Sequence, residues 1–122
     1  YKLVQKVNPS KPDDPRKWYA NAVIKDDITL RELAKEIAEI STVNIVDTMA
    51  VIESLLQLIP RHVSRGEIIR LAEFGSFLAR LKNEGADTEE DFESDMIKGL
   101  KLSFRPGKEF TKQIKDVEFV KD

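Results

Sequence analysis

The sequence has no cysteine and a single histidine, His62. Without cysteine there is no disulfide, no thiolate nucleophile and no thiolate metal ligand, a composition that fits a reducing compartment. One histidine leaves no paired metal-ligand spacing and no sequence partner for a histidine base, so His62 reads as a surface residue near a helix end. No serine stands in a nucleophile-elbow motif, and no P-loop or glycine-rich dinucleotide loop is present. Carboxylates are plentiful, but nothing in their spacing makes a site. Catalysis is not expected, and neither is a metal, a cofactor or a small-molecule substrate. No apolar run approaches the roughly 18 residues of a membrane span, and the start lacks a signal-peptide pattern, so a cytoplasmic protein without membrane contact is expected. The sequence opens on Tyr1 and not on Met, which leaves room for residues before it.

What is present is ordinary in amount and uneven in distribution. A length of 122 residues predicts one domain. A chain of this size buries roughly two-thirds of its unfolded surface, enough for one modest core. The apolar fraction is 41% and the charged fraction, 34%, is high. The formal net charge of -2 lacks the basic excess usual in general nucleic-acid binders. Residues 1–82 nevertheless hold 13 Lys and Arg against 11 Asp and Glu, whereas residues 83–122 hold 7 against 11. Most of that acid lies in residues 84–95.

Periodicity places the elements. Residues 1–8 partly alternate apolar and polar and read as a strand; residues 9–16, with three prolines and two aspartates, read as a loop; residues 18–24 read as a second strand. The two strands form an expected N-terminal β-hairpin with a long connection. Thr29-Leu30-Arg31-Glu32 is a capping box opening a helix, with Leu30, Leu33, Ala34, Ile37 and Ala38 on one face. Ser41 is the expected cap of a second helix carrying Ile45, Met49, Ile52, Leu56 and Ile59. Val46, Leu55 and Leu58 widen that stripe, so burial on more than one side is expected. Pro60 is expected to kink or end this helix, and Arg65-Gly66 to turn. From Glu67 through Phe77 the pattern is extended, with Gly75 at a bend. Residues 96–104 are again strand-like, Pro106 suits the first turn of a last helix with Phe110 and Ile114 on its stripe, and residues 117–120 form an apolar tail that packs back on the body. The order is α+β.

Two segments narrow this order. The run Gly66-Glu67-Ile68-Ile69-Arg70-Leu71-Ala72-Glu73-Phe74-Gly75-Ser76-Phe77 resembles the passage of bacterial histone-like HU/IHF proteins from the second helix into the first sheet strands. Lys101-Leu102-Ser103-Phe104-Arg105-Pro106-Gly107-Lys108-Glu109-Phe110 resembles that family's closing motif, in which a Phe ends the last strand and a Pro-Gly or Ser-Gly with a following Lys opens the final helix. The 23 residues between them are close to the length of the family's β-ribbon arm. The resemblance covers about residues 29–115, as an HU-like core with its arm at about 78–100; residues 1–28 look like the added N-terminal segment of some HU-like variants, and 116–122 are a tail.

The resemblance implies an HU-like fold: a two-helix base, a β-sheet saddle with a β-ribbon arm, a short C-terminal helix and an extra hairpin, in one domain. It implies an intertwined homodimer with Phe74, Phe77, Ile52 and Leu56 in the dimer core, acting as an architectural, nucleoid-associated protein on duplex DNA of low sequence specificity. It also implies that Arg80, Lys82, Lys98 and Lys101 line the arm roots, and that Arg105, the Gly107 amide and Lys108 face phosphates. For Arg105 to Lys108, a plain helix start with solvated charges is the other reading. Trp18 and Tyr19 either stack on bases or pack the hairpin. Two departures from the family are plain. Residues 84–95 hold seven acids, no base and no proline, where HU arms are basic and carry an Arg-Asn-Pro tip. Glu73 stands where the family usually has glycine. Residues 84–95 are therefore expected to be a mobile, solvated loop that phosphate repels. The alternative function is an HU-fold dimer that has lost general DNA binding and uses this acidic arm and the hairpin for protein contacts.

Overall fold

The structure of the chain, a computed structural model, describes residues 1–122. It divides into two compact units, one comprising Tyr1–Thr29 with Asp116–Asp122 and the other Leu30–Lys115. In the first unit, strand β1 (Lys2–Lys6) pairs antiparallel with β2 (Lys17–Asn21), Lys2 opposite Asn21 and Lys6 opposite Lys17. The connection holds Pro9, Pro12 and Pro15, which cannot donate to a ladder. It is shaped instead by local bonds, Lys11 N–H to Asn8 O at 3.1 Å and Asp14 N–H to Lys11 O at 3.0 Å. The apolar tail comes back to this hairpin. The Tyr1 amino group donates to Val120 O at 2.7 Å, and Asp122 N–H donates to Tyr1 O at 2.8 Å. That bond pair straddles Lys121 as neighbouring parallel strands do.

In the second unit, helix α1 (Leu30–Ile40) starts where the capping box puts it. Leu30, Ala34, Ile37 and Ala38 are its protected face, Ala34 being fully buried. Leu33, expected on that face, is exposed. Helix α2 (Ile45–Val63) is capped by Asn44 and not by Ser41. The Asn44 Oδ1 accepts from Asp47 N–H at 2.8 Å, whereas Ser41 Oγ donates back to Ile37 O at 2.6 Å and so finishes α1. Buried Thr48 is satisfied by its hydroxyl donating to Asn44 O at 2.9 Å.

Pro60 does not end α2, which continues to Val63. A proline so near the end costs one intrahelical bond, to the carbonyl of exposed Leu56. The helix closes after it with Glu67 N–H to His62 O at 3.2 Å and Gly66 N–H to Val63 O at 3.1 Å. Gly66 takes the left-handed conformation (φ 83°) that this closure requires. His62, expected without a partner, has one: its Nδ1 lies 3.3 Å from Glu67 Oε1.

The stretch 67–77 is not one extended segment. Strand β3 is only Ile69–Arg70, and the chain then folds back through a turn closed by Phe74 N–H to Leu71 O at 2.9 Å and Leu71 N–H to Gly75 O at 2.8 Å. Strand β4 (Gly75–Asn83) pairs with β3 on one side and with β5 (Ile97–Pro106) on the other, all antiparallel. Gly75 sits at φ 143° with the Phe104 ring 2.7 Å from where a Cβ would stand, so no other residue fits the start of β4. Pro106 ends β5 and does not open the last helix, α3 (Lys108–Gln113).

Four phenylalanines join these parts: Phe77–Phe104 centroids are 4.9 Å apart, Phe74–Phe110 5.3 Å, Phe74–Phe104 5.8 Å and Phe104–Phe110 6.2 Å. The core stops there. Ala34 and Val63 are the only buried apolar side chains. Of the residues expected to widen the buried stripe of α2, Val46 is 74% exposed and Leu58 is exposed in the single chain, with Leu55 half-buried, and Leu56 of the stripe itself is 69% exposed. The solvent-accessible surface is 10838 Å². A monomer of this mass normally exposes about 6,700 Å², or about 7,900 Å² if it forms two separate bodies.

Candidate functional site

Strand register sorts the sheet into two unlike faces, because directly paired residues share a face and successive residues alternate. Ile69, Phe77 and Phe104 form one row, Ala79 and Leu102 the next, Leu81 and Leu100 the third. This face is wholly apolar. On the opposite face Arg70, Ser76 and Arg105 form a row, then Leu78 with Ser103, Arg80 with Lys101, and Lys82 with Gly99. That face carries five cations and no carboxylate. All five are exposed, and none makes an ion pair. Arg80 and Lys101 stand directly opposite each other, a like-charge arrangement that weakens a sheet unless an anion relieves it. Over the seven residues from Ser76 to Lys82 the cations cover about 20 Å of strand.

The arm root ends in acid. The paired ribbon passes a register shift between Lys82 and Asn83 and ends at Asn83 opposite Ile97, and the chain beyond is turns. Asp91 N–H donates to Thr88 O and Thr88 Oγ1, each at 3.2 Å, Phe92 N–H to Glu89 O at 3.3 Å, and a 3-10 turn covers Ser94–Met96. Of the seven carboxylates in 84–95 only Glu84 has a cation near it, Lys98 at 4.0 Å. Lys98 Nζ also donates to Asp95 O at 3.2 Å. Lys98 is thus held by the acidic segment and does not join the other four strand residues expected at the site.

At the far end of the sheet, Gly107 caps α3, but its N–H donates to Phe74 O at 3.0 Å. An amide so engaged is not available to a phosphate, which corrects the role expected of it. What Gly107 supplies is closeness: a Cβ there would overlap the Glu73 carbonyl and lie 3.2 Å from the Phe74 carbonyl carbon. Lys108 is exposed at the first position of α3. With six residues α3 adds little dipole, so its positive charge rests on side chains.

Two helices, a three-stranded antiparallel sheet with a ribbon, and a short last helix form a combination with known counterparts. The model of a family described as an HU domain fused to a wHTH, Ig or glycine-rich motif, HU-HIG, matches residues 1–121. The chain belongs to the HU-HIG family. Among solved structures it is similar to Anabaena HU in a cocrystal with DNA, at 23% identity and TM-score 0.56, over 74% of this chain and all of that one. It is also similar to a candidate bacterial DNA-binding protein from Bacteroides vulgatus, at 17% identity and TM-score 0.55, over 98% of this chain. The chain spans about half, 47%, of the length of the Bacteroides protein. No curated protein matches it. The fold is therefore HU-like α+β, with a hairpin preceding the HU core.

Within this HU-HIG fold, Arg80, Lys82, Lys101 and Arg105 come together on the basic sheet face. Arg70 joins them, and sequence reasoning missed it. The signal was the Phe77–Ile69 pairing, which was hidden because 67–77 read as one strand; once the turn at 71–74 is known, Arg70 must lie beside Ser76. Phe74 and Phe77 sit in the phenylalanine cluster, with Phe74 still 50% exposed, and Ile52 and Leu56 lie on the open side of α2. In the hairpin unit Trp18 is 64% exposed, while the Tyr19 ring is met by Lys6 Nζ at 5.8 Å from its centroid. No helix is long and apolar enough to cross a membrane.

Proposed function

We propose that the chain is an architectural DNA-binding protein that holds duplex DNA against the β3–β4–β5 basic face through its phosphates, as a homodimer. The observation that carries this is the segregation of Arg70, Arg80, Lys82, Lys101 and Arg105 on one face without a carboxylate among them. Side chains of this kind displace counterions from DNA and give affinity without reading bases, which accords with low sequence specificity. The Anabaena protein is in a cocrystal with DNA, and the likeness in fold supports DNA binding here. Lys108 extends the cationic surface beyond Arg105. Outside residues 84–95, the unit 30–115 holds 13 basic against 8 acidic side chains, so its charge toward DNA is positive despite the net charge of the chain.

The dimer accounts for the missing core. The surface in excess of a compact monomer is roughly 3,000–4,000 Å² per chain, estimated from the scaling of surface with mass. A two-fold interface covers the same patch on both copies, and the open side of α2 with the half-exposed phenylalanine cluster is the patch to cover. The test is binding of a mixed-sequence duplex at low and moderate salt. The proposal expects micromolar or tighter affinity at about 50 mM salt, weakening steeply as salt rises. Absence of duplex binding at low salt overturns it and leaves protein contacts as the function of the fold.

A further inference from the structure

The acidic segment and the basic face are each without a partner in the chain that carries them. Six carboxylates of 84–95 have no cation near them, and five cations of the sheet face have no anion. We infer that the basic sheet face of one copy docks the acidic segment 84–95 of a second copy, which there takes the place of DNA phosphates. This rests on the reading of that face as the DNA-phosphate surface.

The choice of a second copy follows from reach. The Arg70–Ser76–Arg105 row is seven residues from the arm root at Asn83, about 23 Å along the strand. The segment is anchored at both ends side by side, Asn83 opposite Ile97, so only with every turn opened and the chain fully extended would its tip return about 23–25 Å and match that distance. With its turns at Thr88, Glu89 and Glu93 in place it falls short. Its own copy can therefore offer carboxylates to Lys82 and Lys98, but not to Arg105 and Arg70. A second copy meets no such limit and can lie along all four rows. Seven carboxylates in twelve residues are dense enough to oppose five cations, and Phe92, 38% exposed at the turn, adds apolar contact beside Leu78. The contact involves exposed charges, so salt screens it, and duplex DNA competes for the same cations.

The test uses the full chain in three forms: wild type, an arm variant (D87N/E89Q/E90Q/D91N/E93Q) and a face variant (R80Q/K101Q). Sedimentation velocity at about 50 mM and about 300 mM salt reads association, and duplex affinity is read at both. Wild type is expected to sediment at about 50 mM as a species larger than its size at about 300 mM, and to return to the smaller size when duplex is added. Each variant alone stays small. Mixing the two variants restores the larger species, because one supplies an intact face and the other an intact arm. The arm variant binds duplex about tenfold more tightly than wild type at low salt, with the gap closing at high salt. A wild type that stays small at low salt, or a mixture that does not associate, overturns the docking while duplex binding by the arm variant keeps the DNA reading. An arm variant that binds no duplex overturns the DNA reading itself.

Discussion

Neutralising Arg80 and Lys101 together removes the directly opposed cation pair at the middle of the basic face without touching the core. The effect can be worked from the register. Five cations per copy give ten per dimer. If each neutralises one phosphate, the logarithm of affinity falls against the logarithm of salt with a slope of about −9. The R80Q/K101Q dimer keeps six, for a slope of about −5. Between about 50 and 200 mM salt, wild type then loses affinity by on the order of 10⁵-fold and the variant by on the order of 10³-fold. Both are upper bounds, since not every cation meets a phosphate. The assay is fluorescence anisotropy with a labelled mixed-sequence duplex at four or more salt concentrations, beside a thermal melt. The melt is expected to hold or rise, because removing a like-charge cross-strand pair relieves the sheet. An unchanged slope with weaker binding, or a slope that falls only when the fold melts, would refute the assignment of these side chains to phosphates.

Three further outcomes follow from the packing. Gly107→Ala destabilises the fold by about 1–3 kcal/mol, since its methyl group overlaps the Glu73 carbonyl, and leaves the salt slope of DNA binding unchanged; a normal melt with a reduced slope would return the Gly107 amide to the DNA surface. Phe77→Ala costs about 3–5 kcal/mol, read by chemical denaturation, if the second copy completes the burial of its ring against Phe104. Leu56→Asp places a charge on the open side of α2 and converts the dimer to monomer by sedimentation equilibrium at micromolar concentration; a monomeric wild type contradicts the dimer outright.

Much of this fold is legible in the sequence because local and tertiary signals agree. The Thr29–Glu32 capping box and the 30/34/37/38 stripe place α1, and the alternation of 1–8 and 18–24 places the hairpin strands. The misreadings share a cause: local chemistry had more than one solution. Ser41 and Asn44 are both good caps, and the choice fell to Asn44 because the chain had to turn between α1 and α2 while Ser41 finished the first helix. The turn at 71–74 carries no proline and puts Ala72 at φ 46°, a conformation unusual for alanine, so nothing local announced it. Arg70 was lost with that turn. Gly107 was legible as special, but whether its amide or its lack of a side chain mattered depended on the Glu73–Phe74 backbone arriving beside it, which only the tertiary structure shows. The tail's bond to Tyr1 joins the two ends of the described chain, and no periodicity encodes that.

The absence of cysteine makes the most direct test simple. Ser103 lies on the basic face between the Arg80–Lys101 and Ser76–Arg105 rows, and Ser10 lies in the hairpin loop. A single cysteine at either position, Ser103→Cys or Ser10→Cys, carries a DNA-cleaving iron chelate as the only label in the chain. The account predicts strand cleavage of a bound duplex from position 103, whatever the result from position 10. Cleavage from position 10 alone, with both labelled proteins binding DNA normally, would contradict the claim that the basic sheet face holds the duplex.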